Sequence, residues 1–303
     1  MENFKDLLGL IGNTPIVKLN FGTKPTILAK LEYLNPGGSI KDRSALYMIE
    51  EAEKSRKLKP GGTIIEASSG NQGIALAMIG AYKGYNVIIT VPDRTSTEKV
   101  STLRAYGAEV YVCPDTDQLE DPNGYHSKAE ELLHNIPGAF MPNQYYNISN
   151  PQAHYATTGR EVWEQTDGNV THFICGMGSC GTISGAGKYL KEKNKNIKVI
   201  GVDAATSKLS AQYPKKYKTE GIGVDVISDT LNMSVIDEVV PIEDNPAFEM
   251  TKDLAKKGIL VGLSSGAVME VALNKAKQLT EDDIIVVILA DSGRAYLSKV
   301  FNF

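Results

Sequence analysis

Short β-branched runs alternate with helix-length amphipathic stretches along most of this chain, and that rhythm limits the fold more than any other feature. TIIEA is followed by NQGIALAMIGAYKG, NVIITVP, TEKVSTLRAYG, AEVYVC and a helix near His126 to Asn135. The pattern resumes after Pro151 with THFIC, GTISGAGKYLKEKN, KVIGVD, DEVVPI, a helix around Ala247 to Lys257 and the buried run IIVVILA. Strands joined by helix-length crossovers lie parallel, so the chain is expected to be an α/β protein of two doubly wound lobes with largely parallel sheets. Its 303 residues suffice for two cores. The Asp- and Pro-rich segment Cys113 to Asn123 reads as a loop, and NQYYNISNP as the place where the chain passes between lobes.

Charge and composition exclude several classes. With 32 basic and 36 acidic residues and no basic block, the chain has no footprint for nucleic acid. No apolar run reaches the ~18–20 residues of a membrane span, and MENFKDLLGL has no basic leader region, so a cytoplasmic protein without a membrane partner is expected. Cys113, Cys175 and Cys180 are odd in number and lack CxxC spacing, which argues against a disulfide framework or a metal site and for buried or loop thiols.

One lysine is oddly placed. In NPGGSIKDR, Ser39 followed three residues later by Asp42 resembles a capping box, so a helix should begin near Ile40 with Lys41 in its first turn. There the helix dipole opposes the cation by ~0.3–1 kcal/mol. A solvated surface lysine tolerates that, whereas an amine that must be neutral to attack a carbonyl benefits from it.

Two strand-to-helix turns can hold anions. EASSGNQG, Glu66 to Gly73, exposes backbone N–H groups beside Ser68, Ser69 and Asn71; it suits a carboxylate or phosphate, or is a simple N-cap with permissive glycines. GMGSCG, Gly176 to Gly181, satisfies GxGxxG between a strand and a helix, with Asp203 about twenty residues on, which is the dinucleotide fingerprint. An NAD-dependent oxidoreductase would seat a pyrophosphate on Gly176, Gly178 and Gly181 and a ribose on Asp203. The same turn could instead hold one phosphate monoester on Gly178, Ser179, Gly181 and Thr182. Hydride transfer has no use for an activated lysine together with a second anion cradle. Pyridoxal phosphate uses all three: a lysine for its aldehyde, one cradle for its phosphate and another for the carboxylate of an amino-acid substrate.

Taken in order and spacing, NPGGSIKDR, EASSGNQGIALA, GMGSCGTISG, TEGIGVD, GLSSGA and LADSGRAYLSKVF resemble the cysteine synthase and cystathionine β-synthase family, from about Ile11 to about Phe301. The resemblance implies the fold type II scaffold of pyridoxal-phosphate enzymes (tryptophan synthase β-like). It implies a smaller lobe over 41–152, a larger one over 1–40 plus 153–303, an active site in the cleft between them, and a homodimer. Lys41 is then the Schiff-base lysine and the proton shuttle at the substrate Cα. Asn71 would bond the cofactor's ring hydroxyl, and Gly178, Ser179, Cys180, Gly181 and Thr182 its phosphate. Ser292 would face the pyridine nitrogen, and as a neutral partner it leaves that nitrogen largely unprotonated, which favours β-elimination. Ser68, Ser69, Gly70, Asn71, Gln72, Gln144 and Gly221 would hold the amino-acid substrate. Two departures bear on substrate preference: Ser68 and Gln72 stand at the outer positions of the usual T-S-G-N-T, and Cys180 replaces a phosphate-loop glycine.

The activity implied is β-replacement on serine, O-acetylserine or cysteine by a thiol or sulfide. Cystathionine β-synthases resemble TEGIGVD in carrying an acid at the position of Asp225, which cysteine synthases usually lack, although Val224 breaks the usual aromatic choice beside it. Asp225 is accordingly expected to be catalytic rather than a solvated loop acid. The expected reaction joins homocysteine to serine or cysteine to give cystathionine, with hydrogen sulfide as a possible by-product, the O-acetylserine sulfhydrylase reaction being the alternative. Only the catalytic core is matched, so a minimal enzyme without a haem-binding or regulatory extension is expected. A non-catalytic binding module of the same fold would bind the coloured cofactor without turnover.

Overall fold

The computed structural model describes residues 6–116 and 121–301, so residues 117–120 of the expected loop and the first five of the opening segment lie outside the described residues. The chain runs β1 (Ile16–Leu19), β2 (Thr26–Leu31), α1 (Lys41–Lys54), β3 (Thr63–Ala67), α2 (Asn71–Lys83), β4 (Asn86–Pro92), α3 (Thr97–Ala105), β5 (Glu109–Cys113) and α4 (Tyr125–Asn135). It continues through α5 (Ser149–His154), a π-helical turn (Tyr155–Gly159), α6 (Arg160–Gln165), β6 (His172–Gly176), α7 (Gly181–Lys193), β7 (Lys198–Ala204) and β8 (Glu238–Ile242). It closes with α8 (Asp244–Lys256), α9 (Leu263–Ala276), β9 (Ile284–Leu289) and α10 (Leu297–Val300).

The strands form two sheets. One has the order β1-β2-β9-β6-β7-β8 and the other β3-β4-β5. Every pairing is parallel except that of edge strand β1 with β2. Both faces of the larger sheet are covered, and the period-two alternation of a strand divides its side chains between them. Ile174, Ile285, Val287 and Leu289 pack with Ala267, Val268 and Val271 of α9 on one side. Phe173, Cys175, Val286 and Ile288 pack with Ile183, Ala186 and Leu190 of α7 on the other. In the smaller sheet Ile64, Ile89 and Val91 meet α1 and α2, while Ile65 and Ile88 meet Ala129 and Leu132 of α4. Two doubly wound lobes, as the strand–helix alternation predicts, are therefore present.

Some elements differ from the sequence reading. β1 and β2 precede the first recognised strand. They reach the larger sheet because β2 pairs with β9, more than 250 residues away, a placement that local pattern does not encode. α8 begins at Asp244 rather than near Ala247, with Pro246 in its first turn, where a missing N–H is harmless. The three cysteines are buried and unpaired. Among the described residues no helix is long and apolar enough to cross a membrane, and no His/Cys/Asp/Glu cluster could hold a metal ion.

Candidate active site

Three segments leave the carboxyl ends of parallel strands and converge, as ligand sites of open α/β sheets do. They are 68–72 after β3, 177–182 after β6 and 290–292 after β9. The start of α1 is tied to the third of these, since the Ile40 N–H donates to the Ala290 carbonyl at 2.9 Å and Ser39 bridges Asp291. Lys41 opens α1, and its Nζ donates to Ser179 Oγ at 2.8 Å. The lysine and the β6–α7 turn, 138 residues apart, are thus in contact.

The expected capping box does not form. Asp42 Oδ2 accepts from the Gly37 N–H and Ser39 Oγ from the Lys41 N–H, so the pair braces the preceding turn instead of closing on itself. The helix nevertheless begins where expected, with Ile40 at its N-cap and Lys41 in its first turn. The helix dipole is not the main influence on the amine. Burial, which disfavours the ammonium, brings the Lys41 pKa down to about 8, against the opposing pull of Cys180, Cys175 and Glu66.

The β3–α2 turn combines both readings of its sequence. Ser68 is buried, and its Oγ accepts from the Gly70 and Gly73 N–H groups at 3.2 and 3.0 Å, so it does cap the turn. Ser69 is exposed beside it. Gln72 is buried with Oε1 accepting from Ser44 Oγ, while its Nε2 has no partner. A desolvated donor without an acceptor costs roughly 1–3 kcal/mol, and an anion would relieve it. Gln144 is brought close by Glu66: the buried carboxylate accepts from the Asn143 and Gln144 N–H groups at 2.8 and 3.1 Å. Burial raises the Glu66 carboxyl to about 7. NQYYNISNP therefore runs between the two sheets, with Asn150 Nδ2 donating to the Gln144 carbonyl and to Ser179 Oγ.

The β6–α7 turn is a tight cradle. Its first helical N–H groups have no intrahelical acceptor and carry the positive end of the dipole, which suits a phosphate. A Cβ on Gly178 would stand 2.9 Å from the Gly221 carbonyl oxygen, and one on Gly181 2.0 Å from Asn150 Oδ1, so both positions exclude a side chain. Cys180 adopts φ +59°, the left-handed conformation expected of the glycine it replaces, at a cost of roughly 1–2 kcal/mol. Its thiol, raised to about 12 by burial, is no nucleophile. Thr182 Oγ1 lies 3.3 Å from His154 Nε2, and burial holds that imidazole neutral.

Asn71 is tied to the residue before Ser292. Asn71 Nδ2 donates to Asp291 Oδ2 at 2.7 Å. Ser292 Oγ accepts from the Arg294 N–H, leaving its hydroxyl proton free to donate, as a neutral partner of a ring nitrogen must. The loop bearing TEGIGVD packs on the cradle through the Gly223 N–H, which donates to the Met177 carbonyl at 2.8 Å. Asp225 is exposed on it, accepting from Tyr217 Oη at 2.6 Å and the Lys208 N–H at 3.2 Å. Glu66, Asn150, Tyr217 and Asp291 escaped the residue-by-residue reading, although Glu66 and Asp291 lie inside the quoted motifs.

A buried amine of lowered pKa against a tight helix-start cradle, with a neutral hydroxyl nearby in the chain segment after β9, fits pyridoxal phosphate. Residues 7–291 match the family model described as "Pyridoxal-phosphate dependent enzyme". The chain belongs to that family. Pyridoxal 5'-phosphate is its cofactor, and the fold is that of its fold type II members. Cystathionine beta-synthase from Apis mellifera is 44% identical over 97% of this chain, which spans only 60% of that relative's length. A hydrogen sulfide-producing enzyme from Fusobacterium nucleatum superposes with a TM-score of 0.91 at 43% identity, covering 97% of this chain and 100% of the other. An O-acetylserine dependent cystathionine beta-synthase from Helicobacter pylori does so with a TM-score of 0.90 at 39% identity, over 100% of both.

The dinucleotide reading is overturned. Besides the family match, Asp203 is fully buried, with Oδ1 accepting from the Val224 N–H and Oδ2 from the Ser207 and Ser210 hydroxyls. It anchors the TEGIGVD loop and has no oxygen to offer a ribose. The spacing of GxGxxG specifies a helix start with free N–H groups, a feature not particular to dinucleotides.

Proposed function

We propose that this chain catalyses pyridoxal-phosphate-dependent β-replacement on serine, O-acetylserine or cysteine with a thiol nucleophile, of the cystathionine-forming type. The observation that carries the reading is the contact of Lys41 Nζ with Ser179 Oγ, which sets an amine of lowered pKa against the phosphate cradle. When bound, the cofactor supplies a conjugated ring that accepts the electron pair released at the substrate Cα. Lys41 would hold the cofactor and move the proton at that carbon. Gly178, Ser179, Cys180, Gly181 and Thr182 would hold the phosphate through N–H and hydroxyl donors. Asn71 would face the ring oxygen and Ser292 the ring nitrogen, whose neutral hydrogen bond keeps the ring a moderate electron acceptor. Ser68, Ser69, Gly70, Gln72 and Gln144 would receive the substrate carboxylate, with the unpaired Gln72 Nε2 the natural donor. Asp225 would meet the second substrate, and Gly221, whose carbonyl abuts Gly178, would close the site beside it.

The preference for cystathionine rests on Asp225 and on the names of the relatives. The lobe division at 41–152, a homodimer and a cytoplasmic location belong to the same reading. Incubation of the purified protein with serine, O-acetylserine or cysteine, each with homocysteine or sulfide, tests it. Cystathionine as the fastest-formed product is expected. Cysteine formation from O-acetylserine and sulfide, without cystathionine from any donor, refutes the cystathionine assignment, and colour without turnover refutes β-replacement.

A further inference from the structure

Asp291 is 2% exposed, lies at the end of β9 and bridges Ser39, two residues before Lys41. Its Oδ2 accepts two hydrogen bonds, from Asn71 Nδ2 of the other sheet's α2 at 2.7 Å and from Tyr296 Oη at 2.6 Å. Its Oδ1 is buried with no partner. That oxygen lies against the bare Cα of Gly262, where a Cβ would come within 2.1 Å of it. An ionised carboxylate with an orphan oxygen is expensive to bury, and burial accordingly raises this carboxyl. The acid's two hydrogen bonds hold Asn71 and Tyr296 in place against that cost.

We propose that Asp291 is a positioning residue that fixes the orientation of the Asn71 amide toward the cofactor's ring oxygen. The proposal rests on the assignment of Asn71 above. A carboxylate only accepts, so the NH2 end of the amide must face it and the amide cannot flip. Asp291 engages one N–H bond of the amide, which also lies beside the Tyr296 hydroxyl, and the proposal requires the other N–H to turn to the ring oxygen. The charged acceptor also polarises the amide and strengthens that second donor. Tyr296 holds the carboxylate in turn, and its ring lies under the Lys99 ammonium, 4.1 Å from the centroid. The ring oxygen's partner on one lobe is thereby set by a side chain that neighbours Ser292, the ring nitrogen's partner, on the other.

The test uses apoenzyme titrated with pyridoxal phosphate. Asp291→Asn preserves shape but can present its own NH2 to Asn71. At saturating cofactor it should alter the balance of the absorbance bands, which reports protonation of the ring oxygen, in the same direction as Asn71→Ala. The Kd for pyridoxal phosphate should rise about tenfold, the effect of one misaligned hydrogen bond. The double variant should be no worse than Asn71→Ala alone. Asp291→Ser, too short to reach Asn71 and smaller than the native residue, serves if Asp291→Asn does not fold, with the same expectations. A mere inter-lobe strut would lower Tm while leaving the spectrum of the loaded enzyme unchanged. A native spectrum and Kd in the Asp291 variants, with Asn71→Ala altered, overturns the proposal alone. A native spectrum in Asn71→Ala overturns the assignment of Asn71, and the proposal with it.

Discussion

Removing the amine of Lys41 should stabilise the cofactor-free protein. An ordinary lysine titrates near 10.5, and burial brings Lys41 down to about 8. Between those values the unfolded chain binds a proton that the folded chain does not. Stability therefore rises with pH through that window, and below about 8 the folded state bears the full cost of a desolvated ammonium. At about 1.4 kcal/mol per pH unit the interval amounts to about 3 kcal/mol. Lys41→Met keeps an unbranched side chain that fills the space and removes the charge, at the loss of one hydrogen bond to Ser179 Oγ, roughly 1 kcal/mol. The net expectation for the apoenzyme at pH 7 is a gain of about 1–2 kcal/mol. Denaturant unfolding of wild-type and Lys41→Met apoenzymes at pH 7, 8 and 9.5 measures it. The advantage should shrink as pH rises above 8, because wild type sheds its proton and the variant has none to shed. A variant that is less stable at pH 7, or an advantage that does not change with pH, refutes the argument that burial lowers the amine's pKa. Such a cost is the kind a reactive site imposes on its fold.

Ser292→Asp places a carboxylate at the expected ring nitrogen; it should protonate the ring and slow β-elimination while cofactor stays bound. Unchanged elimination kinetics in a variant of verified structure would show that residue 292 does not touch the ring. Asp225→Asn keeps shape and removes charge, and stopped-flow absorbance should show loss of the β-substituent at nearly the native rate. Capture of homocysteine should then be slowed by about 10²-fold, and capture of sulfide, which has no amino group to attract, less so. A slowed first phase with a native second phase would move Asp225 to the other half-reaction.

What the sequence by itself determined is what repeats locally. Alternating β-branched runs and amphipathic stretches specify parallel βαβ units, because one face of each strand and one stripe of each helix must be buried wherever the chain goes. Gly-rich turns ahead of helices mark anion cradles for the same local reason: the free N–H groups belong to the helix start. Lys41 is legible as a misplaced charge in a first turn, and the ordered motifs resemble those in which such a lysine forms a Schiff base.

Tertiary structure decided everything that depends on what lies opposite. The Lys41 pKa falls chiefly through burial between α1 and the β6–α7 turn, which no property of NPGGSIKDR predicts. Asp203 looked like a ribose ligand by spacing alone, yet three donors from residues 207, 210 and 224 consume its oxygens. β1 and β2 join the larger sheet only because β9 presents an open edge to β2. Asp291 and Glu66 sat in plain view within recognised motifs, but a carboxylate's role is set by its donors. Those donors, Asn71 and Tyr296 for one and the 143–144 backbone for the other, arrive from distant segments. Periodicity and turn chemistry are short-range, whereas desolvation and hydrogen-bond partnership depend on which surfaces meet, and that is settled only when the two sheets and their helices close on one another.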